Sequence, residues 1–70
     1  MFVQSQNSDV VLNLDRVNPD IRVYAAKSII ARFEERDLVL ARYDTCVTTQ
    51  EVYNSWLDAT RKNVKKFKFP

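Results

Sequence analysis

The stretch SIIARFEERDLVLARY, Ser28 to Tyr43, decides the fold. Two runs of β-branched, aliphatic and aromatic residues, Ser28 to Glu34 and Asp37 to Tyr43, meet at a wholly charged break, Glu34-Glu35-Arg36-Asp37. Successive side chains point to opposite faces of a strand, so two such runs around a polar break read as a β-hairpin. In the first run Ile29, Ala31 and Phe33 oppose Ile30, Arg32 and Glu34. In the second Leu38, Leu40 and Arg42 oppose Val39, Ala41 and Tyr43. Both faces are rich in apolar groups, and alternation alone does not name the inner one.

Towards the N-terminus, Phe2 to Ser5, Val10 to Leu14 and Ile21 to Ala25 have the same strand character, with Val10, Leu12 and Leu14 on one face. Gln6-Asn7-Ser8-Asp9 supplies one turn. Asp15 to Asp20 is a second connector, because Pro19 has no ladder donor and pushes Asn18 towards extended geometry. Ala26-Lys27 turns the third run into the fourth. The pattern predicts four or five antiparallel strands within residues 2–43, arranged as a meander. The chain has no glycine, so turns that need positive φ fall to Asn7, Asn18 or the Arg36-Asp37 pair.

The last third changes period. Thr48-Thr49-Gln50-Glu51 matches a capping box, and Val47 and Val52 stand at the positions of a hydrophobic staple. Val52, Tyr53, Trp56, Leu57, Thr60, Val64 and Phe67 then recur at spacings of three and four, which predicts one amphipathic helix over about 48–67, anchored by Trp56. A helix laid on one face of an antiparallel sheet is an α+β fold in two layers.

Seventy residues, 46% of them hydrophobic and 29% charged, make a single globular domain spanning 1–70. A core of this size leaves only about 3–5 kcal/mol of net stability, and small proteins commonly add disulfides, a metal or a partner subunit. Cys46 is the only cysteine and histidine is absent. No internal disulfide or ordinary zinc ligand set can form, and the commonest general base is missing. No phosphate loop, nucleophile–base pair or calcium loop is present, so no enzyme, cofactor or metal is expected. A lone thiol fits a reducing, cytoplasmic setting. Met1 to Gln6 lacks the character of a signal peptide, and no apolar run approaches the length of a membrane span. Homodimer formation or another protein partner is therefore the expected support for a marginal core.

Three features invite a functional reading. Tyr24, Ile30, Val39 and Tyr43 would form an apolar patch if the helix covers the other face of the sheet, and such a patch is a partner surface. Charge is uneven: residues 61–70 hold Arg61, Lys62, Lys65, Lys66 and Lys68 with no acid, whereas residues 1–60 carry six cations against nine acids. These five cations are candidate phosphate contacts, with Phe67 and Phe69 between them to stack on bases; the plain alternative is that they offset the helix dipole. Cys46, near the helix start, would be a reactive thiol only with an activating partner, which the chain lacks.

Phe2-Val3-Gln4-Ser5-Gln6, then Val10-Val11-Leu12-Asn13-Leu14-Asp15, then Leu40-Ala41-Arg42-Tyr43-Asp44-Thr45 ahead of a helix resemble a group of small uncharacterised proteins of low-GC Gram-positive bacteria and their phages. That group shows a short first strand, an IVNLD second strand and an LGxYDT strand end feeding a C-terminal helix. Ala41 and Arg36 stand where glycine is usual. The resemblance implies a meander-plus-helix fold and a phage or prophage origin, and brings no activity or site. The leading expectation is a non-enzymatic protein-interaction or self-associating accessory domain. The alternative is weak, sequence-independent nucleic-acid binding through the basic C-terminal helix end.

Overall fold

Val3 is completely buried, with Leu12 on one side of it and Phe67 on the other, so the two ends of the chain meet inside one core. The computed structural model describes residues 1–70. Strands β1 (Phe2–Gln4), β2 (Val11–Asn13), β3 (Asp20–Tyr24), β4 (Ser28–Arg32) and β5 (Asp37–Arg42) precede helix α1 (Cys46–Arg61), and β6 (Lys66–Lys68) follows it. The α+β class holds, with antiparallel strands and one helix packed on them.

The strands form two sheets rather than one meander. β3, β4 and β5 are consecutive antiparallel neighbours, as the hairpin pattern requires. β1 lies between β2, antiparallel to it, and β6, parallel to it. A β-bulge settles the face that alternation left open. Ile29 pairs with Ala41 and Ile30 with Val39, which leaves Leu40 as an extra residue in β5. The extra residue turns both Leu40 and Ala41 inward, where each is buried. Its backbone is not orphaned: Gln6 N–H donates to the Leu40 carbonyl at 2.7 Å, and the Gln6 side-chain oxygen accepts from Arg42 N–H at 3.1 Å. Gln6 thereby ties the first sheet to the second.

Ile21, Ile29, Ala31, Leu40 and Ala41 from the second sheet, Val3 from the first, and Trp56 and Phe69 form the single core. Val10, Leu12 and Leu14 pack against it together, as their shared spacing predicts. α1 lies over β3 and β4, and the Tyr53 hydroxyl donates to the Ile21 carbonyl at 3.0 Å. That bond occupies a backbone acceptor on an edge strand that would otherwise be open to another chain.

Both ends of the helix differ from the expected ones. Thr45, not Thr48, is the N-cap: its side chain accepts from Thr48 N–H at 3.1 Å, and its carbonyl accepts from the buried Thr49 hydroxyl at 2.9 Å. Val47 consequently falls inside the first turn, exposed, and makes no staple. The helix stops at Arg61 because Asn63 takes φ 54°. Val64 N–H reaches back to the Ala59 carbonyl and Asn63 N–H to that of Thr60. These are the two reversed bonds of a Schellman motif with Asn63 at the left-handed position. After a bend at Lys65 the chain runs extended, and the expected helix over 62–67 is replaced by β6.

None of the expected positive-φ positions is used. Ser8, Ala25, Ala26 and Asn63 take that role. The Ala25-Ala26 pair closes the β3–β4 hairpin against steric preference, because no glycine is available there.

Candidate nucleic-acid interface

β6 rearranges the basic segment. Phe67 and Phe69 point inward: Phe69 is fully buried, and the two rings pack edge-on at 4.9 Å. Trp56 completes the cluster, at 5.5 Å from Phe67 and 5.9 Å from Phe69. Neither phenylalanine is free to stack on a base, contrary to the reading from sequence. Because side chains alternate in a strand, burying Phe67 and Phe69 sends Lys66 and Lys68 to the opposite, outer face.

The register shows what stands beside them. Lys66 is level with Phe2 and Asn13, and Lys68 with Gln4 and Val11. These six side chains make up the outer face of the β2–β1–β6 sheet, and none is acidic. Phe2 is 48% exposed and Val11 58% exposed, so an aromatic ring sits on the middle strand with a lysine next to it. Phe2 N–H donates to the Lys65 carbonyl at 2.9 Å, which fixes the ring's base to the basic strand. Asp15, which follows β2, is engaged by the N-terminal ammonium at 3.3 Å. Arg61 and Lys62 stay on the helix end, where Lys62 pairs with Asp58 at 3.0 Å; Lys65 is exposed between the two groups. The five cations are thus split between a helix end and a sheet face. Sequence reasoning missed Phe2 because the helical spacing through Val64 and Phe67 concealed a strand that could bring Lys66 beside it.

Of the expected apolar patch, Tyr24, Ile30 and Val39 share the outer face of the second sheet and Tyr43 does not. Tyr24 and Val39 are 53% and 48% exposed on the outer face of the second sheet, but Ile30 is only 2% exposed. Tyr43 packs against the core, with its hydroxyl donating to the main-chain oxygen of Pro70 at 2.7 Å. Burial raises the Tyr43 pKa above the ordinary phenol value. Arg32, paired through two hydrogen bonds with Asp37, is held still more firmly protonated, first by those bonds and then by the charge of Asp37.

No cluster of three His, Cys, Asp or Glu side chains is placed to hold a metal. Cys46 is exposed at the first helical position. A cleft of about 290 Å³ beside the bulge is lined by Gln6, Asn7, Val39, Leu40, Ala41 and Arg42, and brings together no nucleophile and base. No helix is long and apolar enough to cross a membrane. Comparison of the chain with protein-family models, with curated proteins and with solved structures gives no match.

Proposed function

We propose that this protein is a small, non-enzymatic accessory domain that binds nucleic acid through the outer face of the β2–β1–β6 sheet. One observation carries the reading: Lys66 and Lys68 lie side by side on an exposed face that contains no acid. Phosphates neutralised by lysine release condensed counterions, so such a face gives sequence-independent, salt-sensitive affinity, with Kd on the order of 10⁻⁴–10⁻⁶ M at physiological salt. The lone cysteine and the phage-like motifs fit a cytoplasmic protein of phage or prophage origin acting on host or phage nucleic acid. Fluorescence anisotropy of labelled DNA and RNA at about 50 and 200 mM salt tests it. Binding that weakens steeply with salt, and that Lys66→Gln/Lys68→Gln reduces, is the expected outcome; no binding at the lower salt overturns it.

A second reading, self-association or a protein partner, rests on Tyr24 and Val39, each about half exposed in the face that α1 leaves uncovered. That face carries Asp20, Arg32 and Asp37 in one end row and Tyr24, Ser28 and Arg42 in the other. Two copies stacked about a two-fold axis along the middle row would set Asp37 against Arg42. Sedimentation equilibrium over a wide concentration range decides it: a dimer that Val39→Glu converts to monomer is expected, and a monomer throughout removes the reading.

A further inference from the structure

Resting on the nucleic-acid reading above, we infer that the ligand is single-stranded and that Phe2 is its stacking platform. Lysines alone do not distinguish a duplex from a single strand, since both present phosphates. The ring does. Phe2 is half exposed on the central strand of a three-stranded face, with Lys66 across one side of it and Asn13 across the other. A base can lie on such a ring only when it is unpaired and splayed from its neighbours, as in loops and single strands.

The lysines set where phosphates lie, not which form they belong to. Lys66 and Lys68 are two residues apart in an extended strand, about 6.6 Å at about 3.3 Å per residue. That spacing lets the two lysines meet successive phosphates of a duplex strand or of a single strand, so the choice between the two falls to the exposed ring. Gln4 stands beside Lys68 and Asn13 beyond Phe2; the Asn13 side-chain oxygen accepts from Asp15 N–H, which leaves its NH2 group and the Gln4 amide to meet base edges. The charge of the face selects a polyanion, and the exposed aromatic at its centre selects an unstacked one.

The test compares a short labelled oligothymidylate with a duplex of the same length, using the wild-type chain, Phe2→Leu, Lys66→Gln/Lys68→Gln, and Arg61→Gln/Lys62→Gln as the helix-end control. Phe2→Leu keeps the apolar bulk and removes the ring, and circular dichroism checks that each variant is folded. The single strand is expected to bind more tightly than the duplex, and Phe2→Leu to weaken it about tenfold. Loss of both strand lysines should lower the salt slope by about 1.4, at about 0.7 per phosphate contact on a single strand, and the helix-end control should leave binding nearly unchanged. Amide shifts in the wild-type chain should fall on residues 2–4, 11–13 and 66–68. Equal binding of both forms, untouched by Phe2→Leu but reduced by Lys66→Gln/Lys68→Gln, overturns this inference and leaves the broader reading standing. Shifts confined to Arg61 and Lys62 also overturn it. Absence of oligonucleotide binding, including a result in which only anionic phospholipid vesicles bind, overturns both.

Discussion

The Arg32 guanidinium lies 5.8 Å from the centroid of the Tyr24 ring, although the two residues sit in rows on either side of the Arg22–Ile30–Val39 row. Side chains that meet from those rows must cross the middle one, and Ile30 is the residue beneath them. This accounts for an isoleucine that is 2% exposed on the face opposite the core. The long, partly apolar side chains of Arg and Tyr cover it while their polar ends stay in water.

Removing that cover has a measurable effect. Full burial of an isoleucine side chain is worth about 1.5–3 kcal/mol, and Tyr24→Ala re-exposes part of it. Urea unfolding should show a loss of about 1 kcal/mol, with increased binding of a hydrophobic dye. Arg32→Ala should act in the same direction, and Asp37→Asn more weakly, since Asp37 only steadies the guanidinium through exposed bonds.

The hairpin tip can be relieved. Ala25 and Ala26 hold φ of 52° and 66°, and the left-handed region costs about 1–2 kcal/mol per residue for an L-amino acid with a Cβ. Ala26→Gly should therefore stabilise the protein by about 1 kcal/mol, raising the midpoint of thermal unfolding by about 4–8 °C. No change in the midpoint would mean that the strain is relaxed in solution.

The end of the helix depends on one asparagine. Asn63→Val should destabilise the chain by about 1–2 kcal/mol, because a β-branched residue resists φ of 54°. Asn63→Gly should be neutral or stabilising. The same contrast read in the amide spectrum should perturb β6, since the turn at Asn63 aims that strand at β1.

Truncation is a harsher test. Phe69 is fully buried against Trp56 and Phe67, and deleting a buried phenylalanine side chain costs about 3–5 kcal/mol, comparable to the whole net stability of a domain this small. A chain ending at Val64 should show no cooperative unfolding transition. Retention of one would mean that β6 is dispensable to the core.

Tyr43 should make stability depend on alkaline pH. Its folded pKa is raised by burial, so the native state keeps the phenolic proton at a pH where the unfolded chain, with a pKa of about 10, releases it. The contribution is fully present below the unfolded pKa and disappears as pH rises through the folded one. Unfolding free energy should fall above about pH 10, and Tyr43→Phe should lose that part of the slope.

Local chemistry was legible where neighbours in sequence are neighbours in space. The Ser28–Tyr43 hairpin, the shared face of Val10, Leu12 and Leu14, the Trp56 anchor and the α+β class all follow from period and composition. The helix start moved by one turn because Thr45 and Thr48 are both competent caps, and their tertiary surroundings chose between them. The candidate site was legible only as a charge imbalance at residues 61–70.

What the sequence determined by itself is which segments can be strand or helix, and that no ordinary zinc ligand set, internal disulfide or histidine chemistry is available. Lys66-Phe67-Lys68-Phe69 satisfies both periods: alternation makes it a strand, and the spacing from Leu57 through Val64 to Phe67 continues a helix. Helix hydrogen bonds are local, whereas β6 needs a partner more than sixty residues away. Only the tertiary structure decides between them, because the turn at Asn63 brings β6 to β1, and burying Phe69 against Trp56 outweighs another turn of solvated helix. That pairing is also what places Lys66 and Lys68 beside Phe2.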